Sequence, residues 1–264
     1  MWKSSRDVGR REQDVADSAA NLPGPDVVRL PPPIEVGLDD TVATLWRRRL
    51  EQHTSDFYAG VPISKLPEDL RVYEHLLWLA APEVVIELGT HFGGSALWFR
   101  DRLEALAGYG RIASPRVVSV DSELGPAREI LSRQHPDGTP GLTLLEGDVL
   151  DPELPERVER LIGGARRCLV VEDSAHTYET TYASLVGFSG FVPEGGFFVV
   201  EDGCVDVEKL RIRPDWPRGV LSAIEDWLQT RSGQSFQRAR NLEMYGLTSN
   251  PDGYLQRGRH RVRS

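Results

Sequence analysis

The hydrophobic pattern divides the chain into three stretches. Residues 1–38 hold no sustained apolar period. They are polar at first and then proline-rich (LPGPDVVRLPPPIEVG), a composition that favours extended, weakly packed chain. Residues 39–80 carry two amphipathic segments. Within 40–52, Val42, Leu45, Trp46 and Leu50 recur at helical spacing. A second helix is predicted to open at Leu66-Pro67-Glu68-Asp69, with a proline and two acids in its first turn. Its stripe is Leu70, Tyr73, Leu76, Leu77 and Leu79. From residue 81 the period changes. Short apolar runs at 84–88, 117–120, 142–145, 169–171 and 197–200 alternate with helical segments at 95–106, 127–134, 154–162 and 177–188. The runs are nearly continuous in apolar residues, as expected for parallel strands covered on both faces. A further helix at 220–230 carries Leu221, Ile224, Trp227 and Leu228, and two strand-like pieces at 235–240 and 244–249 are read as a hairpin. The prediction is a Rossmann-like, doubly wound α/β fold. Its sheet is mostly parallel and seven-stranded, with a C-terminal β-hairpin and an N-terminal helical lid.

Charge and cysteine content narrow the function. The chain carries 31 Lys and Arg against 40 Asp and Glu, a net charge of −9. Residues 253–264 hold Arg257, Arg259, Arg261 and Arg263 with no acid, while 1–24 are balanced, so the body at 25–252 stands at −13. Such a body gives no footprint for a phosphate backbone, so no nucleic-acid partner is expected. The basic end reads as a solvated tail. Cys168 and Cys204 lie in apolar runs, which points to buried, inert thiols rather than a disulfide or zinc site. No run approaches the length of a membrane span and no signal segment is evident, so a cytoplasmic protein is expected. The domain reading is a lead at 1–38, helices forming a lid at 39–80, a cofactor-binding domain at 81–256 and a basic tail at 257–264. The apolar faces of the lid helices, with Trp46 as an anchor, point to a homo-oligomer.

The chemistry gathers at the carboxyl ends of the strands, where doubly wound sheets bind ligands. The five parallel runs end on Glu87, Asp121, Asp148, Glu172-Asp173 and Glu201-Asp202. After the first run comes Gly89-Thr90-His91-Phe92-Gly93-Gly94, whose spacing differs from the G-x-G-x-x-G of dinucleotide binders. Bare glycines would let a cofactor approach the backbone. Asp121 could accept both hydroxyls of a ribose, and Asp148 with Val149 could meet an adenine. The turn has no lysine for a triphosphate. A nucleoside cofactor without phosphates, S-adenosylmethionine, fits best. Asp173, Glu201 and Asp202 come from adjacent strands and would repel unless a cation joined them, and oxygen donors select Mg²⁺. His176, three residues beyond Asp173, is the candidate general base. Coordination would lower the pKa of an acceptor hydroxyl, and the resulting alkoxide would attack the sulfonium methyl.

The segments IELGTHFGGSALWFRD (86–101), VVSVD (117–121), EGD (146–148), VVEDSAHTYETTYASL (170–185) and VPEGGFFVVEDG (192–203) resemble the cephalosporin hydroxylase and rhamnosyl O-methyltransferase family. The resemblance extends over about 58–256. It implies a class I S-adenosylmethionine-dependent methyltransferase, acting on a deoxysugar of a natural product or glycolipid. It places metal ligands on Asp173, Glu201 and Asp202, with Asp173 and His176 as the catalytic pair. Cofactor contacts fall on Glu87, Gly89, Ser95, Asp121 and Asp148, and Thr90, Gly93, Ser122, Val149 and Asp173 complete the candidates. Tyr58 and Lys65 are further candidates, projecting from the lid. The loop at 204–217 matches the family less clearly and reads as a lid over a glycosylated small-molecule acceptor. Two other readings stay open: a non-catalytic cofactor-binding subunit assisting a hydroxylase system, and a nicotinamide-dependent dehydrogenase, against which the glycine spacing argues.

Overall fold

A computed structural model describes residues 30–165 and 167–258. Residues 1–29 of the lead and Arg259, Arg261 and Arg263 of the basic end lie outside them. The elements in chain order begin with α1 (Val42–His53), the short pair β1 (Phe57–Tyr58) and β2 (Val61–Pro62), and α2 (Pro67–Ala80). There follow β3 (Val84–Leu88), α3 (Gly94–Gly108), β4 (Arg116–Asp121), α4 (Gly125–Gln134), β5 (Leu142–Glu146), α5 (Leu154–Ile162), β6 (Cys168–Glu172), α6 (Tyr178–Phe188) and β7 (Phe197–Val200). The chain then forms α7 (Val220–Leu228), β8 (Phe236–Arg238) and β9 (Tyr254–Arg257).

The main sheet has seven strands in the order β5-β4-β3-β6-β7-β9-β8. The first five are mutually parallel, and β9 runs antiparallel between β7 and β8. Strand order reverses between β3 and β6, so the loops leaving these strands diverge and open a crevice at their carboxyl ends. Alternation along the strands feeds two cores. Val84, Ile86 and Leu88 of β3 enter one, with Trp46, Val170 and Trp227, while Val85 enters the other, with Tyr73, Phe99 and Val171. Both faces of β3, β4, β6 and β7 are covered, which explains why their runs carry no polar alternation, while the edge strand β5 is only partly buried. Helix α5 shows the complementary pattern, burying Leu154, Val158 and Ile162 at intervals of four. No described helix is long and apolar enough to cross a membrane.

The hairpin differs from the expectation. Its strands are β8 and β9, paired Phe236 to Arg257. Residues 244–249 form no strand. Gly246 takes a positive φ of 72°, which interrupts extended chain. Thr248 and Ser249 then bond to a buried carboxylate rather than to a ladder: Asp69 accepts from Thr248 Oγ1 at 2.5 Å, Ser249 N at 2.9 Å and Ser249 Oγ at 2.8 Å. Arg257, counted with the basic tail, ends β9, donates to the Val192 carbonyl at 2.6 Å and lies over the Phe236 ring. Trp46, expected to anchor a second subunit, is 3% exposed inside its own chain and donates to the Leu210 carbonyl at 2.7 Å. Helix α1 is therefore tied to the 204–217 loop. Leu79 of the predicted stripe faces out at 65% exposure.

Candidate active site

The strand ends are drawn together by backbone bonds. Asp173 N donates to Leu88 O at 2.8 Å, and Glu201 N donates to Glu172 O at 2.8 Å. The register β3–β6–β7 thus sets the residues after each strand side by side. Three residues here adopt left-handed backbone conformations that non-glycine residues rarely occupy: His91 (φ 48°), His176 (φ 54°) and Asp202 (φ 56°). Such conformations cluster where function demands a particular side-chain direction.

The glycine turn is bare for a reason other than cofactor approach. A Cβ on Gly89 would lie 1.9 Å from the Asp173 carbonyl oxygen, and one on Gly94 would lie 2.1 Å from the Pro62 carbonyl oxygen. Chain passes against chain at both points. Gly89 also sits at φ 111°. The change Gly89→Ala is expected to cost at least about 3 kcal/mol, from strain together with overpacking. Urea denaturation of the variant checks this, and a cost within 1 kcal/mol of zero would contradict the packing described.

A cavity of about 270 Å³ lies over the ends of β3, β4, β5 and β6. Of the predicted cofactor residues, Gly89, Asp121, Ser122, Asp148, Val149 and Asp173 line it. Thr90 and Ser95 line a small adjoining recess with Lys65. Glu87 and Gly93 line neither. Gly93 packs against Leu131 beneath the turn. Asp121 is fixed by the turn itself: its Oδ2 accepts from Thr90 N and His91 N, both at 2.9 Å, and Oδ1 from Glu123 N at 3.1 Å. Asp148 Oδ1 accepts from Leu150 N at 2.9 Å. His91, Gly147, Ser174, Ala175 and Thr180 also line the cavity. They were not foreseen, and the strand-end position of Gly147 and of Ser174-Ala175 was the available signal.

Glu87 is fully buried behind the turn, where Ser119 donates to its Oε2. Burial pushes its carboxyl from the ordinary 4.5 up to about 7, against the opposing pull of Lys65 and Ser119. The folded chain therefore keeps this proton up to about pH 7, whereas the unfolded chain releases it near 4.5. Folding takes up a proton in that window, so Glu87 makes stability fall as pH rises through it, by at most about 1.4 kcal/mol per pH unit. Denaturation across pH 5 to 8 should show a shallower fall for Glu87→Gln than for the unchanged protein. Equal slopes would contradict the assignment.

The acids of β6 and β7 divide into two groups. Asp173, His176 and Asp202 each offer a donor atom within 4.8 Å of the others. His176 Nε2 lies 3.3 Å from Asp202 Oδ2 and 4.0 Å from Asp173 Oδ1, and its Nδ1 is buried with no hydrogen-bond partner among the described residues. Asp202 is braced from behind, its N–H donating to Asn250 Oδ1 at 3.0 Å. Glu201, expected beside Asp173 and Asp202 as a ligand, is not brought into this cluster. Its Oε2 accepts from Lys65 Nζ at 2.7 Å and its Oε1 from Tyr73 OH at 2.6 Å. Lys65 also pairs with Asp173. Burial works against the Lys65 charge, but Asp173, Glu201 and Glu87 together outweigh it and hold its pKa well above the ordinary lysine value. Lys65 thus reaches the site as expected, whereas Tyr58 does not; its hydroxyl donates to Asp101 at 2.7 Å. Tyr73 was read only as a core position. Both cysteines are buried, and burial raises each thiol, Cys168 to about 12.

A second cavity, of about 440 Å³, opens on the other side of the cluster. His176 and Asp202 line it together with residues of α1 and the 204–217 loop. The Asp173–His176–Asp202 group therefore stands between two cavities. One is lined by strand-end acids, the other by the N-terminal helix and a loop.

Comparison with known proteins places the chain in a family. The family model described as "Rhamnosyl O-methyltransferase/CmcI" matches residues 51–258. A rhamnosyl O-methyltransferase of Mycobacterium tuberculosis (strain ATCC 25618 / H37Rv) is 27% identical over 206 residues, covering 77% of this chain and 79% of its own. The rhamnosyl O-methyltransferase of Mycobacterium leprae (strain TN) is 26% identical over 205 residues, covering 76% and 82%. Among solved structures, an apo form of CmcI matches with a TM-score of 0.56 at 23% identity, covering 88% of this chain and 90% of its own. A Mg-SAM form of CmcI matches at 0.55 and 20%, covering 87% and 90%. These structures share the fold. The chain belongs to the rhamnosyl O-methyltransferase/CmcI family of S-adenosylmethionine-dependent O-methyltransferases.

Proposed function

We propose that the protein transfers the methyl group of S-adenosylmethionine to a hydroxyl of a rhamnose-like deoxysugar, with Mg²⁺ as a second cofactor. The observation that carries this reading is the Asp173–His176–Asp202 cluster standing between the two cavities. The first cavity suits an adenosine. Asp121 and Asp148 stand at the ends of adjacent strands and offer carboxylate oxygens to ribose hydroxyls and an exocyclic amine, and among the described residues no lysine or arginine lines the space. S-adenosylmethionine supplies an electrophilic methyl on a positive sulfonium, for which an acid-lined cavity is the right environment. The curated relatives are named for rhamnosyl acceptors, which supports the sugar assignment.

The residues also fit a divalent cation. Lys65 pairs with one oxygen of Asp173, and the other, Oδ1, faces the cluster with Asp202 and His176; two carboxylates with the remaining positions open are a common Mg²⁺ arrangement. Mg²⁺ would lower the pKa of a hydroxyl and orient a vicinal diol. His176 takes the hydroxyl proton at Nε2, and Asp202 beside it stabilises the imidazolium that forms. Asp173 lines the cofactor cavity and belongs to the cluster, so it sets the reacting groups relative to one another. Transfer of labelled methyl from S-adenosylmethionine to a rhamnosylated acceptor tests the reading. Turnover is expected, with its loss in EDTA and recovery on adding Mg²⁺. Full turnover in EDTA would remove the metal from the account, and absence of transfer would contradict the activity.

A further inference from the structure

Asp202 reaches the cluster from a backbone that does not hold itself. It sits at φ 56° and ψ 28°, a left-handed conformation that costs a non-glycine residue energy unless its surroundings fix it. The chain before it is ordinary sheet. β7 pairs with β9 up to Val199 opposite Tyr254, and Val200 N still donates to Gly253 O at 2.8 Å. Continued in that register, residue 202 would stand opposite Pro251. Its side chain would share the face of Phe198 and Val200, which enter the core. The left-handed turn takes Asp202 out of the ladder, and its N–H then needs another acceptor.

That acceptor is a side chain. Asp202 N donates to Asn250 Oδ1, and Cys204 N donates to Ser249 O at 3.0 Å. The alternate N–H groups of Val200, Asp202 and Cys204 are thus all received by the turn at 249–253. The two segments leave no slack. A Cβ on Gly203 would lie 2.7 Å from Pro251 O, and one on Gly253 would lie 1.9 Å from Val200 O. Asn250 is 0% exposed, and its own position is built. Asn250 N donates to Thr248 Oγ1 at 3.0 Å, and Gly253 N donates to Asn250 O at 3.0 Å. Thr248, Ser249 and Tyr254 all donate to Asp69, Tyr254 at 3.1 Å. The turn that receives Asp202 is therefore anchored on a buried acid of α2. A buried polar network with its members paired holds one geometry.

We propose that Asn250 is the positioning residue for Asp202. Its amide oxygen stands in for a strand carbonyl, holds the left-handed turn, and so aims the Asp202 carboxylate at His176 and at the cation position. Asp69 fixes Asn250 in turn. The cation part rests on the Mg²⁺ reading given above; the aim at His176 does not.

Asn250→Leu tests this in the full chain. Leucine has a similar shape but no acceptor, and its apolar body gives a substituting water too few partners. In metal-free crystals of the variant, Asp202 is expected to leave the left-handed region and its carboxylate to leave His176. Calorimetric Mn²⁺ affinity should fall about 10–100-fold, the usual effect of removing a group that orients a ligand. S-adenosylhomocysteine affinity should stay within about twofold. On an Asp202→Ala background the same change at 250 should cost no further Mn²⁺ affinity, a non-additivity that general loosening would not produce. Val158→Ala, which destabilises α5 away from the turn, should keep Mn²⁺ affinity. Amide exchange reads the unchanged protein directly, where the Asp202 N–H should exchange slowly. Exchange at the rate of an open loop would overturn the proposal, with no dependence on how the variant folds. So would an Asp202 still in place in the variant crystal, or a measurable Mn²⁺ affinity that the variant leaves unchanged. A displaced Asp202 in a protein that binds no Mn²⁺ even when unchanged would uphold the positioning and overturn the Mg²⁺ reading instead.

Discussion

Replacing Lys65 by methionine is expected to destabilise the protein by about 3–5 kcal/mol. Lys65 is 4% exposed and stands between Asp173 and Glu201. Glu201 is itself 2% exposed, and its other oxygen is already committed to Tyr73. Methionine matches the stem of lysine but supplies no charge. It would leave Glu201 buried with no positive partner, beside the partly exposed Asp173. Removing one partner of a buried pair costs far more than the intact pair contributes, because the remaining charge has no solvent. The deficit carries a pH signature. Burial and the neighbouring Asp173 charge already raise Glu201, and without Lys65 its carboxyl would take up a proton more readily still. The difference between variant and unchanged protein should therefore shrink as pH falls from 8 toward 5. Urea denaturation at both pH values measures it. A loss below 1 kcal/mol at pH 8 would show that the carboxylates do not depend on this lysine.

His176→Ala is expected to lower the rate of methyl transfer about 10²–10⁴-fold, the usual contribution of a positioned general base. The imidazole lines the second cavity but not the first. Affinity for S-adenosylhomocysteine should consequently stay within about twofold, a small fraction of RT ln 10. The loss should also diminish as pH rises, because solvent hydroxide can then remove the proton that His176 would have taken. Single-turnover transfer and calorimetry on the same preparation separate the two effects. An unchanged rate would remove His176 as the base. A parallel loss of cofactor affinity would mean that the αL backbone at residue 176 mainly supports the first cavity.

The parallel core was legible because burial on both faces leaves a plain signature. Runs such as 84–88 and 169–171 have no apolar–polar alternation, and acids stand at or just beyond their ends, Glu87 and Glu172 buried and Asp173 lining the first cavity. The candidate residues at those ends were legible for the same reason. Glu201 shows where that reasoning stopped. The Glu201-Asp202 pair is contiguous in sequence, yet Glu201 turns into the core toward Tyr73 while Asp202, at φ 56°, turns toward His176. The partners that decide this, Lys65 and Tyr73, lie more than a hundred residues earlier. No local pattern encodes them. Residues 244–249 were misread in the same manner. Met244, Tyr245 and Leu247 make the segment strand-like, but Asp69, in the first turn of α2, captures Thr248 and Ser249 and diverts them from the sheet. The glycine turn was located correctly, though its glycines answer to neighbouring backbone, which spacing alone does not reveal.

The central claim is that one cleft holds S-adenosylmethionine on the Asp121/Asp148 side and a divalent cation between Asp173 and Asp202. Crystals grown with S-adenosylhomocysteine and Mn²⁺, read by anomalous scattering, test it most directly. The account predicts an adenosine over Asp121 and Asp148 and one anomalous peak within bonding distance of the Asp173 and Asp202 carboxylates. An adenosine in the cavity beside Trp216, or a metal peak away from these two aspartates, would contradict it.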